Sequence, residues 1–178
     1  MYNMAFKENA RKPPKPLPVR FHNNSDQKVD YSMKITWYGH SAILLEIDGK
    51  KILIDPMLGN AASPVSFTTK RFDYKIPIDL ESIPMVDAVI LSHDHYDHLD
   101  YPSIMKLKDR VGHFYTALGV GYHLQKWGVE ASNLTELDWW ETAKLDNLEL
   151  VATSARHFAG RGLGDRNKTL WASGVILE

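Results

Sequence analysis

Nine consecutive residues, Ser92-His-Asp-His-Tyr-Asp-His-Leu-Asp100, hold three histidines and three aspartates. Imidazole and carboxylate together form a donor set for Zn²⁺, Mn²⁺ or Fe²⁺, whereas Ca²⁺ takes oxygen ligands. The 178-residue chain has no cysteine, so any metal site must be built from His, Asp and Glu. His93 and His95 alternate, and alternate side chains of an extended segment leave on one side. Asp97 and His98 follow where the chain bends. Four donors exceed what one catalytic ion takes from a single loop, because catalytic zinc keeps a position open for water. Two adjacent ions are the natural reading. Without a cation, so many imidazoles and carboxylates at a strand end would repel or lose solvation uncompensated. Two such ions could hold a water as hydroxide near neutral pH and polarise a P=O or C=O group, which would need no serine or cysteine nucleophile. Asp97 can orient or deprotonate that water.

The elements around this stretch must place it. Val86–Leu91 is a strongly apolar strand that ends at the histidine-rich turn. Asp100 can cap a helix that starts near Tyr101-Pro102, since proline fits a first helical turn. Upstream, Lys34–Tyr38 and Ala42–Ile47 read as strands. Asp48-Gly49 offers the positive-φ pair of a type I′ hairpin, and Lys51–Ile54 returns. Residues 56–84 have many breakers and little period, and read as a long loop of the kind that carries function. Downstream, a strand is expected at His113–Thr116 and a helix over Gly119–Trp127, with Gly128 closing it. Further strands are expected at Leu134–Leu137, Leu148–Thr153 and Trp171–Leu177. The fold class is α/β with an antiparallel opening (α+β).

Composition narrows the class. The chain is 44% hydrophobic and 24% charged with a net charge of -1, a soluble globular balance that argues against a nucleic-acid partner. No apolar run approaches the ~18–20 residues of a membrane span, and the N-terminus lacks a secretory core. A cytoplasmic location is the expectation. Residues 1–32 form a separate arm. Lys7, Arg11, Lys12, Lys15 and Arg20 face only Glu8 in its first twenty residues, and Pro13, Pro14, Pro16 and Pro18 forbid a helix. The arm is read as solvated. The alternative is an arm that packs across the domain or makes weak peripheral contact with an anionic membrane. Residues 33–178 form the domain.

His93-x-His95-x-Asp97-His98 matches the metal-binding signature of the metallo-β-lactamase superfamily. Ile35-Thr-Trp-Tyr-Gly-His-Ser41, Leu53-Ile-Asp-Pro56, Ala62-Ser-Pro64, Lys70-Arg-Phe72 and Glu136-Leu-Asp-Trp-Trp-Glu141 resemble the branch that contains N-acylphosphatidylethanolamine-hydrolysing phospholipase D. Sugar-lactone hydrolases of the same branch are less similar. The resemblance covers residues 33–178. It implies an αββα sandwich of which this chain contains the first half and the start of the second. It implies that His93 and His95 bind one metal with a third histidine from a later strand end, for which His157 is the candidate. Asp97 and His98 bind a second. Asp55 supports the metal loop from behind, and a carboxylate there orients ligand imidazoles. His40 either lines the site or packs in a turn. His22, His113 and His123 are read as ordinary polar positions.

The chain departs from the family pattern. A bridging aspartate and a last histidine should follow the third ligand, yet no histidine follows His157 and no aspartate follows Asp165. The chain is therefore expected to be C-terminally truncated relative to the family. Two zinc ions are expected in a complete site, and one alone at His93, His95 and His157 otherwise. Completion by another chain and self-association through an uncovered apolar face are the matching partner expectations. Three functions compete: a phosphodiesterase of phospholipid-like substrates, a lactone or carboxylic ester hydrolase, and a non-catalytic metal-binding half-domain. Trp37, Trp139, Trp140 and Trp171 are expected in the core. The loop Arg161–Arg166 is expected to face substrate.

Overall fold

Every second position of Val86–Leu91 faces a different apolar layer, so the strand must be covered on both sides. In the computed structural model Val89 and Leu91 pack with Leu53, Phe114, Ile104 and Leu124 on one face. Ala88 and Ile90 pack with Ile52, Tyr115, Leu148 and Leu150 on the other. The first layer is helical and the second is another sheet. The structure describes residues 13–19, 32–65, 67–75 and 78–178.

The strands are β1 (Met33–Gly39), β2 (Ala42–Ile47), β3 (Lys50–Ile54), β4 (Val86–Leu91), β5 (Val111–Ala117), β6 (Leu134–Leu137), β7 (Thr142–Leu145), β8 (Leu148–Thr153) and β9 (Ser173–Leu177). The first six form one sheet in sequence order, and the last three form a second. β1, β2 and β3 pair antiparallel. β3 through β6 run parallel. Asp48 and Gly49 adopt φ of 47° and 71°, the hairpin pair expected of this dipeptide. The helices are α1 (Tyr101–Leu107) and α2 (Gly121–Lys126). Asp100 caps α1 by accepting from the Ser103 amide, with Pro102 in the first turn. Helices, six-stranded sheet and three-stranded sheet are stacked as layers, which is the α/β class read from the sequence.

Several elements differ from expectation. The second helix begins at Gly121, not Gly119, because Gly119 has φ of +85° and cannot join a right-handed helix. Gly128, at φ +84°, closes it as expected. β7 is a strand the sequence reading did not include. Its four residues alternate weakly and pair only with β8. The 56–84 segment is held by a bridge between Ala61 and Lys70 and by Arg71, whose guanidinium donates to the Met57 and Tyr38 carbonyls. Leu17 exchanges backbone hydrogen bonds with Asp73 and Lys75. Of the arm residues singled out, Lys7, Glu8, Arg11, Lys12 and Arg20 lie outside the described residues, as does His22.

The tryptophan expectation fails at two positions. Trp37 and Trp140 are each 68% exposed, while Trp139 and Trp171 are half-buried and stack edge to face. Trp37 lies on the inter-sheet face of β1 with Met33 and Ile35, opposite Ile43, Leu45 and Ile47. The three-stranded sheet covers Leu45 but leaves this stripe of the edge strand exposed.

Candidate metal centre

β3 and β4 are parallel neighbours, so their C-terminal ends open on one edge of the sheet. Asp55 leaves β3 at that edge, and Ser92 and His93 leave β4. Asp55 sits at φ +41°, held by its amide donating to the Ile90 carbonyl. Its carboxylate faces β4. Oδ1 accepts from the Ser92 amide at 2.8 Å, and Oδ2 accepts from Ser92 Oγ at 2.7 Å and His98 Nδ1 at 2.8 Å.

This contact fixes two tautomers. A carboxylate only accepts, so Ser92 gives its single hydroxyl proton to Asp55. Ser92 Oγ, 2.9 Å from His93 Nδ1, must then accept from that nitrogen. His93 Nε2 is left as a bare lone pair. His98 likewise spends its Nδ1 proton on Asp55, so in its neutral form the lone pair is on Nε2. This is the carboxylate-behind-imidazole arrangement that orients metal ligands.

The lone pair of His93 points at two further imidazoles. His93 Nε2 lies 2.9 Å from His95 Nδ1 and 3.0 Å from His157 Nε2. His157 Nε2 lies 3.3 Å from His95 Nδ1. A tetrahedral ion with bonds of about 2.0–2.1 Å needs donor separations of about 3.3–3.4 Å. The triangle is slightly tighter than that and leaves the fourth direction open. Three nitrogens this close fit a cation. His157 arrives from the segment after β8, as the resemblance implied.

A second donor group stands beside the first. His40, Asp97 and His98 each offer an atom, and these lie within 4.8 Å of one another. His40 Nε2 is 3.2 Å from Asp97 Oδ2, which is 3.8 Å from His98 Nε2. The His93 and His98 rings are 4.2 Å apart, so the groups are neighbours. His40, read from sequence as a supporting or turn residue, is placed here as a direct donor candidate. Its turn depends on Gly39 at φ +92°, where a Cβ would collide with the Tyr74 hydroxyl. Ser41 Oγ reaches the Asp97 and Asp55 carbonyls and closes the turn on the loop.

The electrostatics differ between the two groups. Burial, then the neighbouring His98 and His95, push the His93 pKa down to about 4, so it is a neutral donor at pH 7. Burial and His157 lower His95. His98 goes the other way: burial opposes its charging, but Asp55 and Asp97 outweigh that and raise it. Burial would raise Asp97, yet His98 and His40 hold it below the ordinary carboxylate range.

Sequence reasoning missed three contributors. Ser92 relays Asp55 to His93. Asp94 was counted among the aspartates and given no role, yet it is 1% exposed and holds the segment after His157. Arg161, expected to face substrate, turns inward and donates to the Asp94 and Leu99 carbonyls at 2.7 Å each. Alternation was the available signal for Asp94: between two histidines on one side, it must point to the other.

A cavity of about 380 Å³ opens beside the second group. His40 and Asp97 are among the residues that line it, together with Trp37, Met57, Phe72 and Lys70. No helix of the described residues is long and apolar enough to cross a membrane.

Residues 50–178 match the family model of the Beta-lactamase superfamily domain. An uncharacterized protein of Mycobacterium tuberculosis is 41% identical over 179 residues, covering 99% of this chain and 47% of that protein. N-acyl-phosphatidylethanolamine-hydrolyzing phospholipase D 1 of Caenorhabditis elegans is 30% identical over 172 residues, covering 90% of this chain and 48% of that protein. Among solved structures, a metallo hydrolase from the archaeon Ignicoccus hospitalis superposes with a TM-score of 0.56 at 26% identity, over 82% of this chain and 56% of that one. The chain thus spans about half the length of these two curated relatives.

Proposed function

The chain belongs to the metallo-β-lactamase superfamily, and on that premise we infer that it provides the metal centre of a hydrolase of phospholipid-like phosphodiesters, of the N-acylphosphatidylethanolamine type. The observation that carries the hydrolase reading is the triangle of His93, His95 and His157 nitrogens beside the His40, Asp97 and His98 group. Divalent ions at these two groups would supply the Lewis acidity that activates a water and polarises a P=O or C=O bond. Zinc suits the nitrogen-rich first group, with manganese and iron compatible.

The chain's own residues do the positioning. Asp55 and Ser92 hold the Nδ1 sides of His93 and His98, which aims their Nε2 atoms at the two groups. Asp97, half-buried and below the ordinary carboxylate range, stays ionised at neutral pH and can accept a proton from a water at the second group. Lys70 at the cavity wall can pair with a phosphate oxygen. Trp37, Met57 and Phe72 offer an apolar wall to an acyl or glyceryl portion. Apolar surface and a cation sharing one cavity with Asp97 supports an amphiphilic phosphodiester over a small polar ester. The likeness to the phospholipase D of Caenorhabditis elegans supports the same choice.

The test is to load the full chain with zinc and assay an N-acylphosphatidylethanolamine beside a panel of lactones and carboxylic esters. Release of phosphatidic acid from the lipid is expected. Turnover of lactones or esters alone would reassign the substrate class. No turnover at any loading of zinc, manganese or iron would leave a metal-binding domain without activity.

A further inference from the structure

His157 contacts His93 and His95 through its Nε2 atom. It lies on the irregular segment between β8 and β9, and is itself exposed. Upstream, the Ala155 carbonyl accepts from Trp171 Nε1 at 2.7 Å. Downstream, the Gly160 amide donates to Asp94 Oδ1 at 2.7 Å. Asp94 sits between His93 and His95. In an extended tripeptide its side chain must leave on the face opposite theirs. The two histidines turn toward the donor group, and the carboxylate turns into the protein, where it is 1% exposed.

We propose that Asp94 is the positioning residue for His157, so that one tripeptide both supplies two nitrogen donors and fixes where the third arrives. This rests on the metal-centre reading above. The partners of Asp94 are all donors, which suits a carboxylate that only accepts. Oδ1 takes the Gly160 amide, and Oδ2 takes Thr169 Oγ1 at 2.9 Å. His123 Nε2 stands 3.7 Å from Oδ2. Gly160 and Thr169 bracket the loop that follows His157, so one carboxylate grips both of its ends. Gly160 itself sits at φ +136°, and a Cβ there would come within 3.1 Å of the Arg166 backbone.

Arg161, on the same loop, completes the clamp. Its Nη1 donates to the carbonyls of Asp94 and Leu99, and its guanidinium lies 3.9 Å over the Tyr96 ring. The residue next to Gly160 thereby ties the same loop to the backbone of the histidine-rich turn. An asparagine at 94 would set an NH₂ group against one of the donors and release either Gly160 or Thr169.

The experiment compares the wild type with Asp94→Asn, His157→Ala and the double variant. The readouts are zinc affinity, the visible spectrum of the cobalt-loaded chain, and the proton NMR cross-peak between the His157 and His93 rings without metal. Asp94→Asn is expected to weaken zinc binding about 10- to 100-fold and to shift the cobalt spectrum toward that of His157→Ala. The double variant is expected to bind no more weakly than His157→Ala alone, since the two substitutions remove one ligand. The ring cross-peak, strong in the wild type with Nε2 atoms 3.0 Å apart, is expected to vanish in Asp94→Asn. An equal loss of affinity from Asp94→Asn in both backgrounds, or a cross-peak that survives it, would overturn the proposal. A wild type that shows the cross-peak and binds no zinc would sink the metal-centre reading and leave the role of Asp94 to be decided by the cross-peak. Thr169→Val is the milder second variant, removing one donor and keeping the carboxylate. It is expected to weaken the cross-peak, and an unchanged cross-peak would count against the clamp.

Discussion

Asp55 Oδ2 accepts the Nδ1 proton of His98 at 2.8 Å, and that contact leaves His98 Nε2 free to face Asp97. The same oxygen takes the Ser92 hydroxyl proton, which in turn sets the tautomer of His93. One buried carboxylate therefore orients one donor in each of the two groups.

Replacing Asp55 by asparagine should disturb both groups. The amide can still accept on its oxygen, but its NH₂ meets the Ser92 amide or hydroxyl. Zinc affinity is expected to fall about 10- to 100-fold, with a loss of fold stability of about 1–3 kcal/mol for the unsatisfied donor. A competition titration against a chelator and a urea unfolding curve measure the two effects. Unchanged affinity would show that Asp55 has no part in orienting the ligands.

Gly39→Ala should act on the second group alone. The backbone there is at φ +92°, and the added methyl meets Tyr74. A cost of about 1–3 kcal/mol is expected from the strained conformation, along with displacement of His40 from Asp97. The His93, His95 and His157 group should keep its ion. Elemental analysis and thermal unfolding of the variant test both halves.

Trp37→Ala and Phe72→Ala should separate acyl recognition from chemistry. Both side chains line the cavity beside His40 and Asp97. KM for a long-chain lipid phosphodiester is expected to rise several-fold, consistent with about 1–2 kcal/mol of lost apolar contact, while kcat on a short-chain analogue stays put. Equal effects on both substrates would place the acyl portion elsewhere.

His113 gives a pH dependence away from the metal centre. Burial lowers its pKa below the ordinary 6.5, and its Nε2 lies 2.8 Å from Thr135 Oγ1. A histidine with a depressed folded pKa takes up its proton more readily when unfolded. Its contribution is fully present above pH 6.5 and is lost as pH falls from there through the folded value. The melting temperature of the wild type should therefore drop more between pH 7 and pH 5 than that of His113→Gln. Parallel curves would remove His113 from the acid response.

The sequence was most informative where chemistry is local. His93, His95, Asp97 and His98 share one turn, so their type and alternation reveal a donor cluster before any fold is known. The apolar strand behind them and the Asp100 cap are equally local. Asp94 was hidden because its main partner is a backbone amide at Gly160, and an amide has no sequence signature. Arg161 was misread because a glycine-rich loop looks exposed, while its guanidinium reaches two carbonyls of the histidine turn. Trp37 was misplaced for a different reason. It lies on an edge strand whose inner face the second sheet leaves open, and burial there depends on layer coverage that strand alternation does not encode. β7 is four residues long with a weak alternation, too short to stand out from the turns around it.

The most direct measurement is metal per chain, by elemental analysis of the purified 178-residue protein beside His93→Ala and Asp97→Ala. Ions at both donor groups are expected in the wild type. His93→Ala should lose the ion of the three-histidine group, and Asp97→Ala should lose the other while keeping the first. A wild type without bound metal after loading, or a content unchanged by His93→Ala, would contradict the metal centre itself.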